Sequence, residues 1–437
     1  MKLRFLLAAF AASCLNGFAQ QNISVEEVVG VALQKNFDVR IQQNIGAAAV
    51  TDKQNSIGVF LPVITANGSR TWTNNDQKQI LANGSEVQRN GIPSNNLSAS
   101  LQLNWTLFDG AKMFATRSRL EEIANQGELL VKNQMINTVA SVINNYYNVV
   151  RQKQQLKAIG EQMSVSEERV KLAERKLQVG TGGKPELLQA KVDLNAFRTA
   201  ALLQEALIVQ LKDQLNGLLA LELPAGYEVS DTIPTNLNLT LEEIITDIEN
   251  TNPVLLATKK NIAIANYALR ERRGERYPII SFNSNYNFSR TNNSLVINDF
   301  TLLFNQNKGF NYGFSAALPI LNKLTIRNGV QQANILLERQ KTAYEQQKML
   351  ATVGARVAFT SYDNARKTLV IEEENILLAK ENVFIMLESF KRGIATFIEL
   401  RTAQQSLADA YNRLIAARYN AKVSETELLR LKGGLLN

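Results

Sequence analysis

The chain has 437 residues, 45% hydrophobic, 20% charged and 7% aromatic, with a formal charge of +8. One cysteine and no histidine leave little room for zinc sites, Ser-His or Cys-His nucleophiles, or histidine acid–base chemistry. Lysines and arginines are interspersed with glutamates, which reads as a solvated helical surface and disfavours a nucleic-acid stripe.

Met1 to Gln20 reads as a secretory signal, with Lys2 and Arg4 as charged flank, Leu3 to Ala12 as apolar stretch and Gly17-Phe18-Ala19 as cleavage site. Residues 1–19 are therefore expected to be a signal peptide. Losing Lys2 and Arg4 takes the charge from +8 to +6. Cys14 leaves with them, so the exported chain has no thiol. The alternative, lipidation of Cys14, lacks the large apolar residue usual three positions earlier. Beyond this segment no window approaches eighteen apolar residues, so no transmembrane helix is expected.

Ser24 and Glu27 read as a capping box before an apolar run, and Thr240 and Glu243 as its repeat. The two halves then run in parallel. Asn36-Phe37 matches Asn252-Pro253, and Phe60-Leu61-Pro62 matches Arg276-Tyr277-Pro278, at an offset of 216. Leu107-Phe108-Asp109 matches Ile320-Leu321-Asn322, and Gly180 to Leu187 matches Gly393 to Leu400, at an offset of 213. One structural unit is thus present twice. The first copy spans 20–222, a linker 223–239, and the second copy 240–437. Each reads helix, two strands, long helix, turn, helix.

Strands are expected at about 60–74 and 97–108, and at about 278–290 and 309–320. Leu97, Ala99, Leu101, Leu103, Trp105 and Leu107 alternate with Ser98, Ser100, Gln102, Asn104 and Thr106. Phe282, Tyr286 and Phe288 alternate with asparagines, and Tyr312 and Phe314 with Asn311, Gly313 and Ser315. Such period-two segments, with long polar loops near 74–96 and 290–308, suit an outer-membrane barrel. A soluble hairpin on a core shows the same alternation, but here each hairpin interrupts a pair of long helices. Four strands cannot close, so a membrane sheet requires pooling between chains. Two chains would give eight strands and three would give twelve.

Ala111 to Gln178 contains no proline, and its second half has a three-four seam at Leu156, Ile159, Met163, Ser166, Val170, Ala173 and Leu177. Such a helix would be roughly 100 Å long. Seams also run from Leu187 to Leu218, interrupted at Gln204, and from Leu400 to Leu431 without a break. Long antiparallel coiled-coil hairpins are expected.

This pattern resembles the TolC-like outer-membrane efflux protein family over nearly the whole mature length. The resemblance rests on the duplication, on Leu107-Phe108-Asp109-Gly110, and on the turns Val179-Gly180-Thr181-Gly182 and Arg392-Gly393-Ile394-Ala395-Thr396. It implies a mainly α fold with a small membrane β-barrel part. A homotrimer would pool four strands per chain into a 12-stranded barrel, and the helices would form an α-barrel. It further implies that the tip turns at 179–185 and 392–397 meet a periplasmic adaptor (membrane fusion) protein, through Val179, Gly180, Thr181, Gly182, Arg392, Gly393, Ile394 and Thr396. Ile394 and Ala395 depart from the family's usual polar pair. Glu399 aligns with an acidic position at the family's constricted tip, and Glu186 is its first-copy partner. The family's second acid is Thr402 here, and a helix first-turn glutamate explains Glu399 equally well.

The implied role is a passive exit duct of a tripartite efflux pump or type I secretion system. It would sit in the outer membrane with a periplasmic helical extension, driven by an inner-membrane RND or ABC-type pump. Leu101, Leu103, Trp105, Phe282, Tyr286, Phe288, Tyr312 and Phe314 would face outer-membrane lipid. No catalytic residue, cofactor or metal is expected, and Gly182-Gly183-Lys184 lacks the remainder of a phosphate loop. The competing reading is an exported coiled-coil scaffold or adaptor without a pore.

Overall fold

A computed structural model describes residues 23–221, 227–297 and 301–436. The expected signal peptide and Cys14 lie outside the described residues, as does part of the expected linker. The elements are α1 (Val25–Lys35), α2 (Phe37–Gln54), a 3-10 turn (Asn55–Phe60), β1 (Val63–Ile80) and β2 (Glu86–Phe108). The long helix α3 (Lys112–Gln178) and α4 (Lys184–Leu219) follow. The second copy gives α5 (Leu241–Thr251), α6 (Pro253–Gly274), β3 (Ile279–Asn293), β4 (Phe304–Ala317), α7 (Thr325–Lys391) and α8 (Phe397–Lys432). Among the described residues no helix is long and apolar enough to cross a membrane.

The chain divides into two units, one from the described parts of residues 1–47, 127–258 and 344–437, the other from 48–126 and 259–343. In the first unit the helices lie side by side in the order α4, α3, α8, α7. Gln204 bonds Gln152 between α4 and α3, Gln155 bonds Asn412 between α3 and α8, and Arg413 pairs with Glu372 between α8 and α7. The α8 seam is buried from Leu400 through Ala403, Leu407, Ala410, Leu414, Ala417 and Ala421 to Leu428. Small residues at every second step let the neighbouring helices approach closely.

The α3 seam is broader than expected. Ile159, Ser166 and Ala173 are buried as expected, Ala158, Gln162 and Arg169 are buried beside them, and Leu177 is exposed. The physical reason is that α3 packs on two neighbours, so its buried stripe is wider than one heptad line and shifts towards α8.

The duplication is visible in the hydrogen bonds, although of the two expected capping boxes only that of Ser24 and Glu27 forms; Thr240 makes no side-chain cap bond. The Asn36 amide donates to Leu218 and its Oδ1 accepts from Val39, fixing the bend between α1 and α2. Asn252 does the same with Leu431 and Leu255. The Tyr146 hydroxyl donates to Ile23 and accepts from Ser230, and that of Tyr362 donates to Asn236 and accepts from Leu239. Each buried tyrosine clasps the segment that leads into its copy's short helix.

The second unit holds the sheet, ordered β1-β2-β3-β4 and antiparallel throughout. Its hairpins run further than expected. Pairing in the first continues to Ile80 and Glu86, where a loop from 74 to 96 was expected. In the second, Asn292 pairs with Phe304, shortening the expected 290–308 loop. Asn, Ser and Gly erase the period-two signal there, yet the backbone ladder needs no apolar face to persist. β4 also ends at Ala317, before Pro319, which has no ladder donor.

Candidate functional site: two-faced sheet and helical tip

Register assigns every paired strand residue to one of two faces, because directly opposed residues share a face. One row is Trp105, Phe282 and Phe314; the next is Ile64, Leu103, Ser284 and Tyr312; then come Ala66, Leu101, Tyr286 and Phe310. Phe288 stands opposite Ala99 on the same side. All eight strand residues singled out from sequence share this apolar face. Phe282 and Phe314 meet at 5.2 Å, and Trp105 Nε1 donates to the Phe60 carbonyl at 2.8 Å. Ser284, the polar member, donates its hydroxyl to the Asn311 carbonyl at 3.1 Å.

The opposite face is polar. Thr65, Asn67, Ser69 and Thr71 lie beside Ser98, Ser100, Gln102 and Asn104, then Asn283, Asn285 and Asn287, then Asn307 and Asn311. The Ser69 and Ser98 hydroxyls meet at 2.7 Å, and Asn283 donates to Ser315 at 2.9 Å. From Val63 to Thr73, Ser94 to Thr106, Ser281 to Asn293 and Asn305 to Ala317, this face holds no charged side chain. It is a wall of amides and hydroxyls.

The far ends of the long helices turn alike. Gly180 and Gly393 adopt φ of 77° and 76°, a left-handed conformation that glycine enters without strain. Thr181 and Gly182 donate to the Lys176 carbonyl at 2.9 and 3.0 Å, and Ile394 and Ala395 to that of Ser389 at 2.9 and 3.3 Å. These are helix-terminating turns that satisfy otherwise orphaned carbonyls. Val179 and Ile394 are 72% and 76% exposed, so the turns present apolar side chains to solvent.

The two glutamates at the tip differ. Glu399 closes a capping box: its Oε2 accepts from Thr396 N at 2.7 Å and from Thr396 Oγ1 at 2.9 Å, while its own N–H donates to Thr396 Oγ1. The backbone and hydroxyl bonds from Thr396 hold its carboxyl below the usual glutamate range. Glu186 stands at the matching place in α4, behind Gly183, which offers no side-chain cap. Its Oε1 is buried without a hydrogen-bond partner.

A cluster that sequence reasoning missed lies just behind the tip. The Arg169 guanidinium on α3 pairs with Asp193 on α4 and donates to Gln404 on α8 at 2.8 Å. It also sits 4.9 Å from the Phe397 ring, and Arg401 reaches the same Asp193 at 3.3 Å. Arg169 is 1% exposed. Burial lowers its pKa and Asp193 opposes that shift. In sequence it reads as one more surface charge after Glu167-Glu168; the available signal was its three-four spacing with Gln162, Ser166 and Ala173.

An antiparallel sheet with one apolar and one charge-free polar face, in a chain of long helical hairpins, has the make-up of an outer-membrane channel wall. The chain belongs to the outer membrane efflux protein family, whose sequence model matches residues 30–221 and 244–434. It is 19% identical to the outer membrane protein TolC of Salmonella enteritidis, over 100% of this chain and 87% of that protein. With the cation efflux system protein CusC of Escherichia coli it shares 22% identity over 94% of this chain and 86% of the relative. The solved CmeC outer membrane channel of Campylobacter jejuni superposes with a TM-score of 0.77 at 17% identity, covering 96% of this chain and 90% of that one.

Proposed function

We propose that three copies of this chain form one exit duct, through which substrates handed over by an inner-membrane pump leave passively. The observation that carries this reading is the sheet: two chemically opposite faces, with β1 and β4 at its edges lacking an outer neighbour among the described residues. In hydrocarbon an open edge leaves backbone groups unpaired at several kcal/mol each, so edges must meet edges of other copies. Closure puts Leu101, Tyr286, Phe314 and their row mates against lipid and the amide wall against water.

The helices support the same assembly. The edge helices of the first unit carry apolar residues that are exposed among the described residues, Val192, Leu202 and Val209 on α4 and Val370, Leu377 and Phe384 on α7. Joined edge to edge, such layers close a hollow cylinder. In that assembly the tip turns, with Val179 and Ile394 outermost, offer a small apolar surface to the helices of a periplasmic adaptor. Glu186 and Glu399, repeated around the opening, favour cations. The pump, of RND or ABC type, supplies the energy; the chain itself performs no catalysis.

The decisive experiment is the mass and shape of the detergent-extracted mature protein, by light scattering and electron microscopy. A trimer with a rod on a micelle-bound end is expected. A detergent-independent monomer or dimer without a cavity would leave a coiled-coil scaffold instead. For the tip, Glu399→Gln is expected to weaken cation preference in planar bilayers, and unchanged selectivity would return Glu399 to a purely capping role.

A further inference from the structure

Three basic residues interrupt the apolar face, all at its hairpin end. Arg70 and Arg290 stand on either side of Leu97 in one row, and Lys308 lies one row nearer the helices, opposite Phe288. All three are exposed, and none is ion-paired among the described residues. Beyond them on this hairpin, Lys78 pairs with Glu86 and Asp76 accepts from the Gly91 N–H at 2.6 Å; Arg89 is exposed and without an ion pair among the described residues, but it stands opposite Gln77 on the polar side.

The arginines are also held in place. Arg70 lies 4.9 Å from the Trp72 ring and donates to Asn95 Oδ1 at 3.1 Å, and Arg290 lies 5.3 Å from the Phe304 ring. A guanidinium fixed over an aromatic ring keeps further N–H donors free in a planar fork suited to phosphate. The height of the row matters as well. Trp72 pairs with Asn95, and ten residues of β2 separate that row from Trp105. At about 3.4 Å per residue and a tilt of about 45° this is roughly 24 Å, the height of an apolar band between two aromatic girdles. The basic row thus falls just inside the girdle farther from the helices, where long cationic side chains extend into the headgroup layer.

We propose that Arg70, Arg290 and Lys308 form a binding site for the phosphate groups of lipids in the outer leaflet. The inference rests on the reading that the apolar face meets lipid and that the helices lie on the periplasmic side. Two phosphates on one rigid glycolipid headgroup match a cluster of two guanidiniums and an ammonium on adjacent rows better than isolated ions do.

The test uses the mature oligomer in nanodiscs of phosphatidylcholine with added bisphosphorylated lipid A or its dephosphorylated form, and native mass spectrometry counts the lipids retained. Wild type is expected to retain the bisphosphorylated form preferentially. Each Gln replacement in R70Q, R290Q and K308Q should cut that preference about fivefold. Equal retention of both forms, or a triple variant that retains as wild type does, would overturn the site. Pyrophosphate that binds the detergent-solubilised oligomer as tightly as the lipid does would overturn a lipid source.

Quenching by brominated acyl chains separates the two levels. The chain has two tryptophans, Trp72 and Trp105, both on the apolar face. If neither is quenched, the lipid-facing reading itself fails. If both are quenched while retention ignores phosphate, only the site fails. Heat-modifiable migration of the triple variant reports that it still assembles.

Discussion

The two copies of the repeat solve the same geometric problems with different residues. At the tip both copies turn through a glycine, at φ 77° and 76°, and continue into a helix, but only the second copy caps that helix with a side chain. Thr396 and Glu399 form a reciprocal box, whereas Gly183 and Glu186 leave the first copy's helix uncapped by any side chain. At the joint from strand to long helix the preference reverses. The first copy uses Gly110, at φ 75°, while the matching Lys323 holds a left-handed φ of 52° with a full side chain. After duplication each position kept the chemistry its local neighbours required. The backbone path is the shared inheritance.

This contrast can be broken most severely at the first joint. A Cβ on Gly110 would stand 2.1 Å from the Gly274 carbonyl oxygen, so Gly110→Ala should cost on the order of 4 kcal/mol, read as lost heat-modifiable oligomer. Behind the tip, Asp193→Ala strands a buried guanidinium at the junction of both copies. About 3 kcal/mol is expected, measured as a lowered midpoint of thermal unfolding. Moving the second joint towards the first, Lys323→Gly should relieve strain and stabilise by about 1 kcal/mol in the same assay.

The caps offer smaller, opposite effects. Thr396→Ala should cost about 1 kcal/mol. Gly183→Ser should add a few tenths to the first copy, since φ −91° and ψ 144° already suit a capping residue and a Cβ there meets only Pro185 Cδ at 3.5 Å. The smallest effect is on pH. The carboxyl of Glu399 is held below its unfolded value by Thr396. Its contribution is therefore present above the unfolded pKa and lost as pH falls through the folded one. Amide exchange over 396–402 should accelerate in acid relative to the rest of α8, and Glu399→Gln should abolish that dependence.

Much of this architecture was legible in the residues. Period-two alternation placed Leu101, Trp105, Phe282 and Phe314 on one face because half of each strand is apolar. The same criterion failed over residues 86–96, where polar residues dominate both faces and Pro93 reads as a breaker although it pairs within β2 opposite Asn74. Three-four spacing found the α8 seam because nearly every seam residue is apolar. It missed Arg169 because a buried charge has no apolar signature and its partners lie 24 and 235 positions away. The two tip glutamates align by the repeat, but Thr396 three residues before Glu399 and Gly183 three residues before Glu186 already distinguish a carboxylate engaged by its cap from one that is not.

The unpartnered edges of the sheet have a genetic consequence. In the proposed trimer a membrane wall built from three incomplete sheets would belong to no single polypeptide, so a defective copy would damage assemblies rather than molecules. Equal co-expression of wild type with a strand-edge variant would leave about one assembly in eight wholly wild type. Lesions in β1 or β4 should therefore behave as dominant, whereas lesions that unfold the chain before assembly should be recessive.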